Sequence, residues 1–369
     1  MPNLVPVRRR EVLGSSDQDA VTIGRRVLDD GSTGKKIGYS GPLHLVLFGP
    51  NGSGKGMRIL VPNLLSIVGK SIVVIDPKGQ LAAMTARFRH QIGDDVRIID
   101  PFGVLAGVVD EDPDTYRYLI ENDLVESTGF NPLAALDPDA DSFYEDAAII
   151  ADALIKIQGT DPHWTESAQG LVAGLVMWER VRNGRNANLE NVRYLLTEAD
   201  GWDEYFDPTS GKRKERQVRG LSVTADRMVR EGGFEIASLA ARFASENTTD
   251  EMESVRSSAD TQTRWLLSRP MRGDLKKNGV DFRELMDGDR PMTVYVVLPS
   301  KYLDTHSVWL RLVVSEALRA SLTAGGRRVL LMLDEFAALG HLKICEQLFG
   351  VTRDYRVQMW PVFQNIPQL

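Results

Sequence analysis

The sequence predicts an α/β fold built on a mostly parallel sheet, with a phosphate-binding loop near its start and an all-α domain inserted within it. Three observations carry this reading. The first is Gly49-Pro50-Asn51-Gly52-Ser53-Gly54-Lys55-Gly56, which follows the apolar run Leu43-His44-Leu45-Val46-Leu47-Phe48 and opens a helical segment. A strand, a glycine-rich loop and a helix in that order let backbone N–H groups crowd around phosphate oxygens while the lysine reaches the β and γ phosphates. The second is a set of short, near-continuous apolar runs, which is how strands buried on both faces of a parallel sheet read. The third is a long middle stretch, residues 135–275, with helical spacing and no convincing strand.

Taken in order, residues 1–40 form a polar, glycine-rich lead-in whose basic clusters, Arg8-Arg9-Arg10 and Lys35-Lys36, read as solvated. After the loop, Met57 to Leu65 continues as a helix that Pro62 kinks or ends early. Ser71-Ile72-Val73-Val74-Ile75-Asp76 is the next strand, broken by Pro77-Lys78-Gly79 and followed by a helix over 80–89. Val96-Arg97-Ile98-Ile99-Asp100 repeats that ending before Pro101. Strand, helix, strand at this spacing gives parallel βαβ units. Ligands in such sheets sit beyond the carboxyl ends of the strands. Asp76 therefore reads both as a site residue and as turn chemistry, and Asp100 as a turn.

From Asp110 to Asp146 the chain is acidic and turn-rich. Phe143, Ala147, Ile150, Leu154 and Ile157 then recur at helical spacing, as do Ala168, Leu171, Val172, Leu175 and Val176. Further helices are expected near 187–198, 221–231, 234–245 and 250–268. Lys212-Arg213-Lys214-Glu215-Arg216-Gln217-Val218-Arg219 is the most basic segment, a solvated loop or a contact for nucleic-acid phosphates. The sheet pattern returns with Thr293 to Leu298, a helix over 308–322, the strand Val329-Leu330-Leu331-Met332-Leu333-Asp334-Glu335, a helix over 341–355 and a last strand over 357–363. The resulting organisation is a lead-in (1–40), a nucleotide-binding domain in two parts (41–134 and 276–369) and the helical insertion (135–275).

Composition narrows the function classes. With 369 residues, 43% hydrophobic and 26% charged, the chain can fill one large core or two ordinary ones. Its only cysteine, Cys345, excludes a disulfide framework. His44, His90, His163, His306 and His341 are scattered without metal-ligand spacing. No apolar run is long enough to cross a membrane or to serve as a signal peptide, so the sequence predicts a soluble chain. The net charge of −7 offers no general attraction to nucleic acid, so DNA contact requires local patches or a ring that concentrates positive charge.

Apolar residues followed by two acids, Asp334-Glu335, are the partner of a phosphate loop. The first acid holds Mg²⁺, and the second polarises the water that attacks the γ-phosphate of ATP. Gln364, after the neighbouring strand, is placed to hydrogen-bond the γ-phosphate or that water. Arg353 is the candidate for a positive charge supplied to a neighbouring subunit, the alternative being a surface arginine; Arg356 lies close by in sequence. Position 56 is glycine where the usual loop has a magnesium-binding hydroxyl, so water or another residue must fill that coordination site.

These motifs, with Val61-Pro62-Asn63-Leu64-Leu65, Val73-Val74-Ile75-Asp76-Pro77-Lys78-Gly79, Asn131-Pro132-Leu133, His163-Trp164 with Ala168, Leu331 to Gly340 and Phe363 to Leu369, resemble the type IV secretion coupling proteins of the VirD4/TraG class. Glycine at 56 is usual in that family. The resemblance implies a RecA-like ATPase domain with an inserted all-α domain. It also implies a hexameric ring at the cytoplasmic face of the bacterial inner membrane that feeds a relaxase–DNA complex into a conjugation channel. Carried over, Lys55 contacts phosphate, Asp334 and Glu335 serve magnesium and hydrolysis, Gln364 senses the γ-phosphate, Arg353 reaches across the subunit boundary and the insertion faces the relaxosome. Family members usually begin with membrane helices and continue past the glutamine motif. The chain therefore reads as a fragment or as a shorter relative anchored by partners. Gln80 stands where an acidic residue is common in the family, a change without a physical account.

The expected function is thus an ATP-hydrolysing motor for DNA transfer. The rival is a nucleotide-gated docking receptor that binds cargo without translocating DNA. A chromosome-partitioning ring motor lacks so large a helical insertion, and a small-molecule kinase needs neither a Gln364-like sensor nor an oligomer-dependent rate.

Overall fold

In the computed structural model the described residues are 19–50, 52–157, 163–199, 201–218, 220–244, 249–322, 325–340, 342, 344–346 and 356–368. Among them are ten strands: β1 (Val21–Val27), β2 (Thr33–Tyr39), β3 (Leu47–Phe48), β4 (Ser71–Ile75), β5 (Asp95–Ile99), β6 (Gly201–Asp207), β7 (Lys212–Val218), β8 (Met292–Val296), β9 (Val329–Leu333) and β10 (Val357–Phe363). The chain divides into two compact units, one of Met1–Gly129, Val280–Ser307 and Glu316–Leu369, the other of Phe130–Gly279 and Val308–Ser315.

The first unit is built on a six-stranded sheet in the order β3-β10-β9-β4-β8-β5, and every neighbouring pair is parallel. Strands β4, β8, β9 and β10 are buried at every position, whereas β5, at one edge, is only half-buried at Asp95 and Arg97. That is why the central strands read as unbroken apolar runs. Leu60, Leu64, Ala82, Ala86 and Leu105 from the flanking helices, with Ile67 just past one of them, close over Ile72, Val74, Leu330, Met332 and Trp360. Each large side chain so buried contributes about 1.5–3 kcal/mol. Beneath this core Arg89 is fully buried and ion-pairs with Asp94. It donates to Thr293 Oγ1 (3.1 Å) and to the carbonyl of Ile67. Thr293 in turn donates to Asp94 (2.6 Å), so β8 and the helix Gln80–Gln91 share one closed polar network.

The helix behind the glycine loop opens with a π-helical stretch, Gly56–Leu60, before the α-turn Val61–Leu64 with Pro62 in its first turn. Proline donates no N–H and clashes with the carbonyl four residues back, and a widened turn just before it accommodates both effects. The helix then stops at Leu65, as Pro62 predicts.

Several local expectations change. The lead-in contains the antiparallel hairpin β1–β2, closed around Asp29-Asp30-Gly31, with Asp30 accepting from Ser32 N (2.9 Å). Asn63 pins this hairpin by accepting from Thr22 N (2.6 Å) and donating to Thr22 O (2.9 Å). The run 43–48 is paired as a strand only at Leu47–Phe48, with Leu45 N donating separately to Met359 O (3.0 Å). The helix Val104–Glu111 precedes and just enters the stretch read as turn-rich, 110–146, which also carries the helix Arg117–Glu121. The helix expected from 308 begins at Leu303. The helix expected over 341–355 falls mostly outside the described residues.

In the second unit the long helix His163–Asn183 packs along Phe143–Leu154, Gly233–Ala240 and Asp250–Thr263. Gly174 allows close packing on that face, since an added Cβ would meet Leu239 Cβ at 3.1 Å. Buried Glu179 accepts from Asn183 (2.8 Å), Asn191 (2.8 Å) and Asn188 N (3.3 Å), which ties the helix end to the helix Leu189–Thr197. The unit is not wholly α-helical. Residues 212–218, read as part of a loop, form strand β7 paired antiparallel with β6. Arg219 lies outside the described residues. Among the described residues no helix is long and apolar enough to cross a membrane.

Candidate nucleotide site

All six parallel strands direct their carboxyl ends to one rim of the sheet. The glycine loop leaves β3 there and is tied down at once, because Gly49 N donates to the carbonyl of Phe363 at the end of β10 (3.0 Å). The loop needs its glycines for different reasons. Gly52 and Gly54 have φ of 77° and 82°, a region L-residues disfavour. A Cβ on Gly49 would lie 2.9 Å from Ser53 Oγ and 3.0 Å from the stem of Lys55. Gly56 has neither constraint, as a Cβ there would meet nothing within 4 Å. Lys55 Nζ folds over the loop onto the carbonyl of Gly49, with Pro50 O at 3.4 Å. Asn51 is outside the described residues.

Asp334 and Glu335 follow β9 at the same rim. Burial pushes the Asp334 carboxyl up and its neighbour Glu335 adds to the rise, while Lys55 and Lys78 oppose it. Glu335 is held at φ 62°, ψ 36°, a left-handed conformation costing a β-carbon-bearing residue about 1 kcal/mol or more. Gln364, just past β10, donates its amide to both Glu335 oxygens, at 2.9 and 3.0 Å. The sequence placed Gln364 beside the acid-bearing strand, and its observed partner is the second acid itself.

Asp76 follows β4, which is in register with β9 as Ile75 beside Leu333. Burial pushes its carboxyl up to about 6 against the pull of the Ala82, Lys78 and Leu81 backbone N–H groups, with Asp334 adding a smaller rise. Ala82 N lies 2.9 Å from its Oδ2. Asp76 therefore anchors the turn that starts the next helix, and it also lines the cleft. Asp100 anchors the equivalent turn after β5, accepting from Leu105 N (2.8 Å), as turn chemistry predicts.

The cleft has a volume of about 280 Å³ and brings together the loop from Pro50 to Met57, Asp76, Lys78, Ser300, Asp334 and Glu335. Lys78 and Ser300 carry no role in the sequence reading. Both follow strand ends, Lys78 after β4 and Ser300 after β8, and the strand-end rule applied to every strand would have found them. Arg353 lies outside the described residues. Arg356 is at the amino end of β10, the opposite end of the strand from Gln364, where it donates to Gly326 O (3.0 Å).

The donor set suits a phosphate group with a magnesium ion held through it. Glycine backbone and Lys55 would hold phosphate, and one half-buried carboxylate, Asp334, would hold the ion. Among the described residues no group of three or more His, Cys, Asp or Glu side chains could hold a metal unaided. Magnesium characteristically binds through one or two carboxylates, substrate phosphates and water, so the set fits.

The profile of the family described as "Type IV secretory system Conjugative DNA transfer" matches residues 7–109 and 121–369. The chain belongs to this family. It is 26% identical over 346 residues to the conjugal transfer protein TraG of Escherichia coli, covering 90% of this chain and 49% of that one. It is 25% identical over 346 residues to the type IV secretion system-coupling protein VirD4 of Bartonella quintana, covering 89% of this chain and 47% of that protein. The chain thus spans about half the length of these coupling-family relatives. Among solved structures, the conjugative coupling protein TrwBdeltaN70 superposes with a TM-score of 0.60 at 15% identity, covering 89% of this chain and 63% of that one. TrwB in complex with ADP and Mg²⁺ gives 0.59 at 15% identity, covering 89% and 64%. The coupling-protein family and the RecA-like P-loop fold thus agree with the sequence reading.

Proposed function

We propose that this chain is the nucleotide-hydrolysing part of a coupling protein that recruits relaxase–DNA cargo and drives DNA into a type IV secretion channel, working as a homo-hexamer at the cytoplasmic face of the inner membrane. The observation that carries it is the meeting of Lys55, Asp334, Glu335 and Gln364 at one rim of a parallel sheet, within a chain of the conjugative DNA transfer family. ATP with Mg²⁺, when bound, would supply the transferable phosphoryl group and the positive charge that offsets its phosphates. Lys55 exchanges its contacts with the Gly49 and Pro50 carbonyls for phosphate oxygens. Asp334 would hold the ion, and Gly56 offers no side-chain hydroxyl to share it. Glu335 accepts the proton of the attacking water, and Gln364, bonded to both its oxygens, orients it. Arg353 is the candidate for the charge that completes a neighbouring site, and the helical unit is the candidate cargo surface.

The docking-receptor reading has one observation in its favour. Two cations of the most basic segment are paired within its own hairpin: Arg213 with Glu204 at 3.3 Å and Lys214 with Asp207. One experiment separates the two readings: ATP turnover per subunit measured against protein concentration, with and without single- and double-stranded DNA. A rate that climbs with both supports the motor. A flat, DNA-independent rate, or tight binding without turnover, supports the receptor.

A further inference from the structure

One four-residue turn occurs twice in the first unit. Asp76-Pro77-Lys78-Gly79 follows β4 and Asp100-Pro101-Phe102-Gly103 follows β5. In both, the aspartate accepts backbone N–H groups of the helix that follows, at 2.9 Å from Ala82 N and 2.8 Å from Leu105 N. In both, the glycine is left-handed, with φ of 65° and 66°. The turn therefore depends on its aspartate and its glycine, and its third position is free. After β5 that position is Phe102, whose ring packs on Tyr302 at 4.6 Å and His306 at 5.4 Å. After β4 it is Lys78, which the turn itself does not require.

Lys78 is exposed and lines the cleft together with Lys55, Asp334 and Glu335. Its ammonium has no hydrogen bond or ion pair among the described residues. The two lysines approach from different sides. Lys55 comes from the loop after β3, at the sheet edge, and Lys78 from β4, beyond β9 and its two acids. Three strand spacings of about 4.8 Å separate β3 from β4, so the cations flank the acid pair from opposite sides. A positive charge carried on a turn beside the acids is placed for the charge that develops on a transferring phosphoryl group.

We propose that Lys78 is a second phosphate-binding cation, which contacts the terminal phosphoryl group of a bound nucleoside triphosphate from the side opposite Lys55. This rests on the nucleotide reading above and adds a residue to it. The test is calorimetric binding of ADP and of a non-hydrolysable ATP analogue, both with Mg²⁺, to the full chain and to its K78Q, K78R and F102L variants. A charge-assisted contact to the third phosphate predicts that K78Q weakens the analogue about tenfold or more and ADP less than about twofold. K78R is expected to retain most of the preference for triphosphate, and F102L to leave it intact. Equal weakening of both ligands by K78Q, or of neither, overturns the proposal while leaving the site as a nucleotide site. Failure of the unmodified chain to bind either ligand overturns the nucleotide reading and the proposal with it.

Discussion

At the scale of single residues, the site separates side chains that bind from side chains that react. On the proposed reading Lys55 binds phosphate whatever happens next, so K55A is expected to lower ATP turnover by at least about a hundredfold together with affinity. Glu335 matters only when a proton moves. An amide cannot accept that proton, so E335Q is expected to retain ATP binding and lose turnover by about a hundredfold or more. Turnover in E335Q equal to the unmodified chain would remove Glu335 from the role of base. Asp76 gives a prediction of a different kind. Its carboxyl is pushed up to about 6 from 3.8, so the fold binds the proton more tightly than the unfolded chain does. Its favourable contribution is complete below the unfolded value and is lost as pH rises through about 6, an effect on the order of 3 kcal/mol. In D76N the amide oxygen still accepts from Ala82 N, and this pH dependence disappears. Melting curves between pH 4 and 7 are expected to converge for the two proteins at low pH and to diverge in favour of D76N above it.

At the scale of elements, legibility followed burial. Strands β4, β8, β9 and β10 are enclosed on both faces, and their sequences carry little but apolar residues, which is why the sheet and the acids at its tips were readable. The two hairpins were not. β1 is exposed or half-buried from Thr22 to Val27, so solvent places no constraint on its pattern and glycine and arginine stand among its apolar residues. β7 carries five charged residues, and across the hairpin Arg213 pairs with Glu204 and Lys214 with Asp207. Cross-strand charge pairing of this kind carries no hydrophobic period, and it appears only once both strands are known. The Lys214 ammonium also holds the Asp207 carboxyl below the usual carboxylate range. A further element-scale feature invisible in the sequence is the buried Arg89–Asp94–Thr293 network joining a helix end to β8. Removing the cation would strand Asp94, which is 2% exposed, without its partner. R89A is therefore expected to destabilise the first unit by about 3–5 kcal/mol, seen as a lowered midpoint in urea. A midpoint unchanged within error would mean that Asp94 takes up a proton or water at little cost.

At the scale of the whole molecule, the site belongs to neither half of the chain. The glycine loop leaves β3, and among the described residues β3 pairs only with β10, more than three hundred residues later. β4 lies between β8 and β9, so each acid and each lysine of the cleft rests on strands from both sides of the helical insertion. Cutting the chain after Gly279 removes β8, β9 and β10 together, and with them Asp334, Glu335, Gln364 and the Phe363 carbonyl that anchors Gly49. The glycine loop would remain in such a 1–279 fragment with its full motif and no neighbouring strand. If the motif alone bound nucleotide, the fragment would still be stabilised by it. The architecture predicts otherwise. ATP at a hundred times its dissociation constant should stabilise the full chain by about 2.7 kcal/mol and leave the fragment's melting curve unmoved. Stabilisation of the fragment to the same extent would show that the loop is self-sufficient, and that the long-range pairing of β3 with β10 serves the fold and not the site.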